Sequence, residues 1–214
     1  MSLFKNRQDS GEQLAPELET YKGDPDVIVF GLARGGVPVA RKIAEYLNAP
    51  LDVYIVRKLG VPGQRELALG AIASGGDRVL NKDIVETLEI SQDYIDEIAK
   101  QEEQELKRRE ELYRGVRELP ELEGRIVILV DDGLATGASM RAAIRAVRTH
   151  QPKKIIVAVP VAPQDTCDDL SDLVDEMICL ETPQPFGGVG AWYDEFHQTT
   201  DQEVRSILEQ ANKE

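Results

Sequence analysis

Residues 125–147 read RIVILVDDGLATGASMRAAIRAV. The run from Ile126 to Val130 is apolar and β-branched, as expected of a strand buried on both faces of a parallel sheet. Two adjacent carboxylates follow, then a turn of small residues, then a helix expected over about 138–149. In an open parallel sheet, ligands collect beyond the carboxyl ends of the strands, which puts Asp131 and Asp132 where a ligand would lie. Gly133 and Gly137 permit tight backbone conformations. The stretch Leu134, Ala135, Thr136, Gly137, Ala138 and Ser139 can therefore turn successive amides and two hydroxyls toward a phosphate at the helix start. Carboxylates beside a phosphate cradle would repel the ligand unless they contact something else, and ribose hydroxyls fit that role. An ordinary helix start with a capping aspartate accounts for either carboxylate alone, but not for the whole string.

Further strands are expected at 27–31 (VIVFG), Leu51–Val56, Ile155–Val161 and Met177–Leu180. Helices are expected at about 10–22, 38–47 and 201–211, and over most of 82–114, with Ser91 as a cap. Alternating strands and helices with short connections predict an α/β fold, a mostly parallel sheet flanked by helices. The chain reads as one domain over 1–214. It carries a Gly- and Pro-rich segment at 59–77, a mobile loop or irregular hairpin, then a helical insertion at 82–114 and a C-terminal hood and helix at 183–214.

With 214 residues, 42% of them hydrophobic and 30% charged, the composition is that of a globular protein with a packed core. The net charge of -14 opposes a nucleic-acid partner. The basic run Lys107, Arg108, Arg109 sits among Glu102, Glu103, Glu105, Glu110 and Glu111, and reads as a solvated helix face. Cys167 and Cys179 show neither metal-ligand nor disulfide-framework spacing and are expected to be small core residues. No run is long and apolar enough for a membrane span, and MSLFKNRQDSGEQ lacks a signal-peptide core, so the expected setting is cytoplasmic.

Two competing phosphate motifs fail on inspection. Gly31 and Gly36 have P-loop spacing, but Val37 and Pro38 stand where Lys and Ser or Thr are required, and no GxGxxG follows a strand. The string VILVDDGLATGAS instead resembles the diphosphoribosyl-binding signature of the type I phosphoribosyltransferases. GLARGG resembles that family's pyrophosphate loop, and VRKLGVPG the start of its flexible lid. The resemblance runs from Val27 to about Tyr193 and implies a phosphoribosyltransferase of nucleotide metabolism. Such an enzyme would use phosphoribosyl diphosphate and Mg2+ to transfer ribose 5-phosphate to a nitrogenous base or related acceptor, releasing pyrophosphate.

On that resemblance, Arg34, Gly35 and Gly36 contact pyrophosphate, where family members often hold a cis non-proline peptide. Arg57 and Lys58 resemble the Arg-Lys pair preceding the lid; the chain departs from the family in having no lysine between Lys58 and Lys82, so Arg65 is the residue left to supply a lid cation, and Glu66 could serve as the lid acid or base. Magnesium would be held mainly by the substrate, with Asp131 involved only through water. Phe186 resembles the aromatic that stacks on the base, and Trp192 or Tyr193 closes the pocket; sealing a core beneath the C-terminal helix is the equally simple alternative. Ala135 stands where hypoxanthine-guanine enzymes carry an aspartate, so DDGLATGAS is nearer the adenine-enzyme version. A homodimer is implied by resemblance alone. The alternative function is a non-catalytic regulatory module that senses nucleotide or phosphoribosyl diphosphate.

Overall fold

The structure is a computed structural model that describes residues 2–61 and 64–212, with the backbone alone for 64–67. Its frame is a five-stranded parallel sheet in the order β2-β1-β6-β7-β8, formed by β1 (Val27–Leu32), β2 (Leu51–Tyr54), β6 (Ile126–Val130), β7 (Lys154–Val161) and β8 (Glu176–Glu181). Successive strand residues point to opposite faces. Val27, Val29, Ile126, Ile128 and Val130 accordingly join one buried cluster, whereas Ile28, Phe30, Val127 and Leu129 join another. Unbroken apolar runs thus become a sheet covered on both sides, as the sequence predicts.

The first face is covered by α1 (Arg7–Leu14), α2 (Gly36–Leu47) and α7 (Asp201–Ala211), the second by α5 (Ala138–Thr149) and α6 (Gln164–Ser171). Helix α1 continues as a 3-10 turn over Ala15–Tyr21, so the amphipathic segment expected at 10–22 starts earlier and tightens from Ala15, with Pro16 in the first 3-10 turn. Helix α6 lies in a stretch the sequence reading left unassigned.

The segment 59–77, expected to be a mobile loop or an irregular hairpin, lies within a three-stranded antiparallel sheet: β3 (Val56–Val61), β4 (Gln64–Ala73) and β5 (Arg78–Leu80). Leu59, Leu69 and Ile72 are fully buried and share a cluster with Ile95, Ala99, Leu106 and Tyr113 of α4 (Gln92–Arg114). Packing on α4 therefore fixes the irregular hairpin despite its Gly- and Pro-rich composition. The helical segment 82–114 is divided into α3 (Lys82–Thr87) and α4, and the Ser91 side chain caps α4 by accepting from the Tyr94 amide.

Cys167 and Cys179 are joined in a disulfide, against the expectation of two unlinked core cysteines. Helix α6 folds back beside β8 and brings residues 12 apart in sequence to a Cα separation of 6.6 Å, which is within disulfide reach.

A buried ion pair fixes the end of α4. Arg114, 4% exposed, donates through Nε to both carboxylate oxygens of Asp52, itself 4% exposed, and through Nη1 to Glu110 at 2.9 Å. It also bonds the Val53 carbonyl. Burial pushes the Asp52 carboxyl up, and the guanidinium pulls it back. Removing one partner of such a pair strands a buried charge, so Arg114→Met should cost about 3–5 kcal/mol in urea denaturation. Asp52→Asn added to it should recover much of that loss; strictly additive losses would show that the pair is not coupled.

Candidate functional site

The register of β1 on β6 builds the site. Gly31 stands opposite Val130, so the turn Leu32–Gly36 and the turn Asp131–Gly137 leave the sheet side by side at its carboxyl edge. The two turns touch at close range. A Cβ on Gly35 would lie 2.1 Å from Oδ2 of Asp132, and one on Gly36 would lie 2.4 Å from the Val130 carbonyl. Glycine at both positions is thus required by the approach of the acidic pair. The Ala33–Arg34 peptide is cis, as the family resemblance implies.

Asp131 and Asp132 are largely enclosed. The Asp132 amide donates to Oδ1 of Asp131 at 2.9 Å. Burial raises the Asp131 carboxyl well above its ordinary range, and the neighbouring Asp132 charge adds to the effect. Burial also raises Asp132, but there Arg7 opposes it. Arg7, from α1, donates Nε to Oδ2 of Asp132 at 2.7 Å and Nη1 to the His197 carbonyl at 2.6 Å. Its guanidinium lies 4.0 Å from the centre of the Phe196 ring. Tyr193 donates its hydroxyl to the Asp132 carbonyl at 2.6 Å. The acidic pair is therefore held by three parts of the chain.

Beyond the pair, Leu134 is buried and its amide donates to the Val161 carbonyl at 3.0 Å, while Ala135 and Thr136 are exposed. Gly137 adopts φ 67°, and α5 begins directly after it without a side-chain cap across its first turn. The Thr136 hydroxyl makes only a long contact, 3.4 Å, with the Ala138 amide. Amides at such a helix start are available to an anion. From below, Thr166 of α6 donates to the Ala135 carbonyl at 2.8 Å. Ser139 is half-buried in the first turn of α5.

The other expected residues have differing engagements. The Ala33 amide donates to the Tyr54 carbonyl at 3.0 Å, which joins the Arg34 loop to the chain leading into Arg57 and Lys58. Arg34 lies 3.6 Å from Asp201 at the start of α7, and Tyr113 donates to the same carboxylate oxygen at 2.5 Å. Burial and that hydrogen bond push Tyr113 up to about 12. Arg57 pairs with Glu102 of α4 at 2.6 Å, and Lys58 is exposed. Phe186 and Trp192, ring centres 6.5 Å apart, pack on the cluster of Phe4, Val161 and Tyr193, and the Trp192 indole donates to the Phe186 carbonyl. The side chains of Arg65 and Glu66 lie outside the described residues; their backbone belongs to β4.

Sequence reasoning missed Arg7, Tyr113 and Asp201. One signal for Arg7 was available: Gly11 sits inside a helix, where glycine is costly without a packing reason. A Cβ there would meet the Val39 carbonyl at 2.7 Å, so Gly11 lets α1 lie on α2 with Arg7 over the acidic pair.

Residues 5–195 match the family described as the phosphoribosyl transferase domain. The chain belongs to that family. It is 46% identical over 214 residues to the "Putative phosphoribosyl transferase Rv0571c" of Mycobacterium tuberculosis, with 100% of this chain covered but only 48% of that protein's length. It is 32% identical over 143 residues to the "Bifunctional protein PyrR" of Clostridium acetobutylicum, covering 66% of this chain and 61% of that one. In structure it is similar to TT1426 from Thermus thermophilus, with TM-score 0.86, 42% identity, and 97% of this chain and 98% of that one covered. The α/β fold with its parallel sheet is thus the fold of the phosphoribosyl transferase domain.

The electrostatics of the pair make a stability prediction. Because the folded value of Asp131 lies above its unfolded one, the folded state holds the proton more tightly, and stability falls as pH rises from about 3.8. Asp131→Asn should therefore raise the melting temperature at pH 7, by about 2–4 °C for each kcal/mol relieved, and give no gain at about pH 3. A lower melting temperature at pH 7 would contradict this account of the burial.

Proposed function

We propose that the site binds phosphoribosyl diphosphate and transfers its ribose 5-phosphate to a nitrogen acceptor, releasing pyrophosphate. The observation that carries this reading is that the enclosed Asp131–Asp132 pair, with Gly35 of the Arg34 loop packed against Asp132, runs directly into the uncapped first turn of α5. Carboxylates and helix-start amides at that spacing suit the vicinal hydroxyls and the 5-phosphate of one ribose.

In this reading, Asp131 and Asp132 accept hydrogen bonds from the two ribose hydroxyls, and the amides of Ala135 to Ser139 hold the 5-phosphate. Arg34, Arg57 and Lys58 face the diphosphate. Arg34 and Arg57 each carry a carboxylate partner, Asp201 and Glu102, which diphosphate would replace. The bond from the anomeric carbon to the diphosphate oxygen breaks with its electron pair leaving on the diphosphate, and a carbon–nitrogen bond forms. Glu66 takes the proton lost by the nitrogen, Arg65 meets the charge growing on the leaving group, and Phe186 with Trp192 offers the acceptor an aromatic face.

The residues fit Mg2+ as a substrate-borne ion. The carboxylates beside the uncapped turn of α5 are Asp131 and Asp132. Of these, Asp132 is matched by Arg7, which leaves Asp131 to hold a metal-bound water. Bound magnesium would supply charge neutralisation at the diphosphate. Ala135 lacks the carboxylate of hypoxanthine-guanine enzymes, which favours acceptors other than 6-oxopurines. The proposal includes a homodimer acting on small molecules, without nucleic acid or membrane. No helix among the described residues is long and apolar enough to cross a membrane. In the proposed cytoplasmic setting, thiol reductants would act on the Cys167–Cys179 bond.

The test incubates the protein with phosphoribosyl diphosphate, Mg2+ and a panel of bases and amines while pyrophosphate release is followed. Release is expected with at least one acceptor, and Asp131→Asn with Asp132→Asn should remove donor binding. Arg65→Ala should lower kcat far more than donor affinity, because its interaction is made mainly in the transition state. Tight donor binding without release for any acceptor would replace the enzyme by a donor-sensing regulator.

A further inference from the structure

Arg7 is the first residue of α1, a position where the helix dipole disfavours a cation. The helix start is already served without it: the Asn6 side chain accepts from the Asp9 amide at 3.0 Å, and Asp9 accepts from the Lys5 amide at 2.9 Å. The Arg7 side chain is nonetheless only 10% exposed, and all its described partners lie far away in sequence: Asp132, His197 and Phe196. Its place is thus set by the site rather than by the helix.

The contacts also select an oxygen. Oδ2 of Asp132 is taken by Arg7 Nε on one side and faces the Gly35 backbone on the other, so the carboxylate cannot rotate freely. Phe196, stacked on Tyr193 with ring centres 4.9 Å apart, covers the guanidinium, and Tyr193 in turn holds the Asp132 backbone. The side chain and main chain of one aspartate are thereby tied to α1 and to the hood segment 183–197.

We infer that Arg7 is a positioning residue for ribose recognition: it fixes the Asp132 carboxylate with Oδ2 occupied, so that the other oxygen is presented to a ribose hydroxyl. This rests on the ribose reading of the acidic pair. Arginine suits the task because its planar fork holds the carboxylate and the His197 carbonyl together, which a lysine cannot reproduce.

Two probes separate positioning from mere support. Inorganic phosphate needs only the amides of Ala135 to Ser139, whereas ribose 5-phosphate needs the same amides and Asp132. Calorimetric affinities of both would be measured on the full chain for the parent, Arg7→Gln and Arg7→Lys, beside thermal melts. The parent should prefer ribose 5-phosphate. Arg7→Gln should cut that preference on the order of tenfold while phosphate affinity stays within about twofold, and Arg7→Lys should restore part of it. An unchanged preference in Arg7→Gln would overturn the inference, and so would equal loss of both ligands, which marks general support of the loop. Should Arg7→Gln fail to fold, a lysine variant with parental preference overturns it and one with reduced preference sustains it. A parent without any preference for the ribose compound would refute the ribose reading itself, and the role of Arg7 with it.

Discussion

The pairing of β1 with β6 is the constraint on which the site depends. With Gly31 fixed opposite Val130, the cis-peptide turn and the acidic turn must emerge together, and there is room for only glycine where they meet. Shifting the pairing by one residue would exchange the two faces of each strand and send the apolar set into the wrong cluster. The core that stabilises the sheet and the geometry that forms the ligand edge are therefore one requirement. Asp131 and Asp132 are placed by hydrophobic packing several residues before them.

That placement concentrates negative charge in an enclosed space, within a chain whose net charge is already -14. The structure meets the difficulty unevenly: Asp132 receives a cation from α1, while Asp131 receives an amide hydrogen bond and stays raised toward its protonated form. The other cations at the edge, Arg34 and Arg57, are held by Asp201 and Glu102. Three guanidinium groups at the site thus each rest on a carboxylate partner. Such an arrangement limits the cost of keeping guanidinium groups ordered.

Much of this was legible in the sequence because local and global signals agreed. The strands of the parallel sheet announce themselves as short apolar runs, and α7 spans the expected residues because Thr200 and Glu203 form a capping box at its start. The acidic turn was legible for the same reason, since a strand, two carboxylates and an α5 start adjoin in sequence. What escaped depended on distant partners. The Gly-rich composition of 59–77 leaves a mobile loop and an irregular hairpin open until α4 offers Leu59, Leu69 and Ile72 a surface. Cys167 and Cys179 look unrelated until α6, weakly patterned and opened by Pro163, folds beside β8. Arg7 looks like any surface arginine until Gly11 lets α1 settle on α2.

The packed base of the hairpin also limits how the molecule can work. Leu59, Leu69 and Ile72 are part of the main core, Arg57 is bound to α4, and Arg114 locks α4 to β2. The whole hairpin cannot hinge at its root without opening that core. The pairing of β3 with β4 shifts register at Leu59/Gly60 and again at Gly60/Val61, and irregularities of this kind bend a strand locally. The irregularity is centred on Gly60. Whatever bending the hairpin allows is confined to Leu59–Val61, above a base that is fixed in the core.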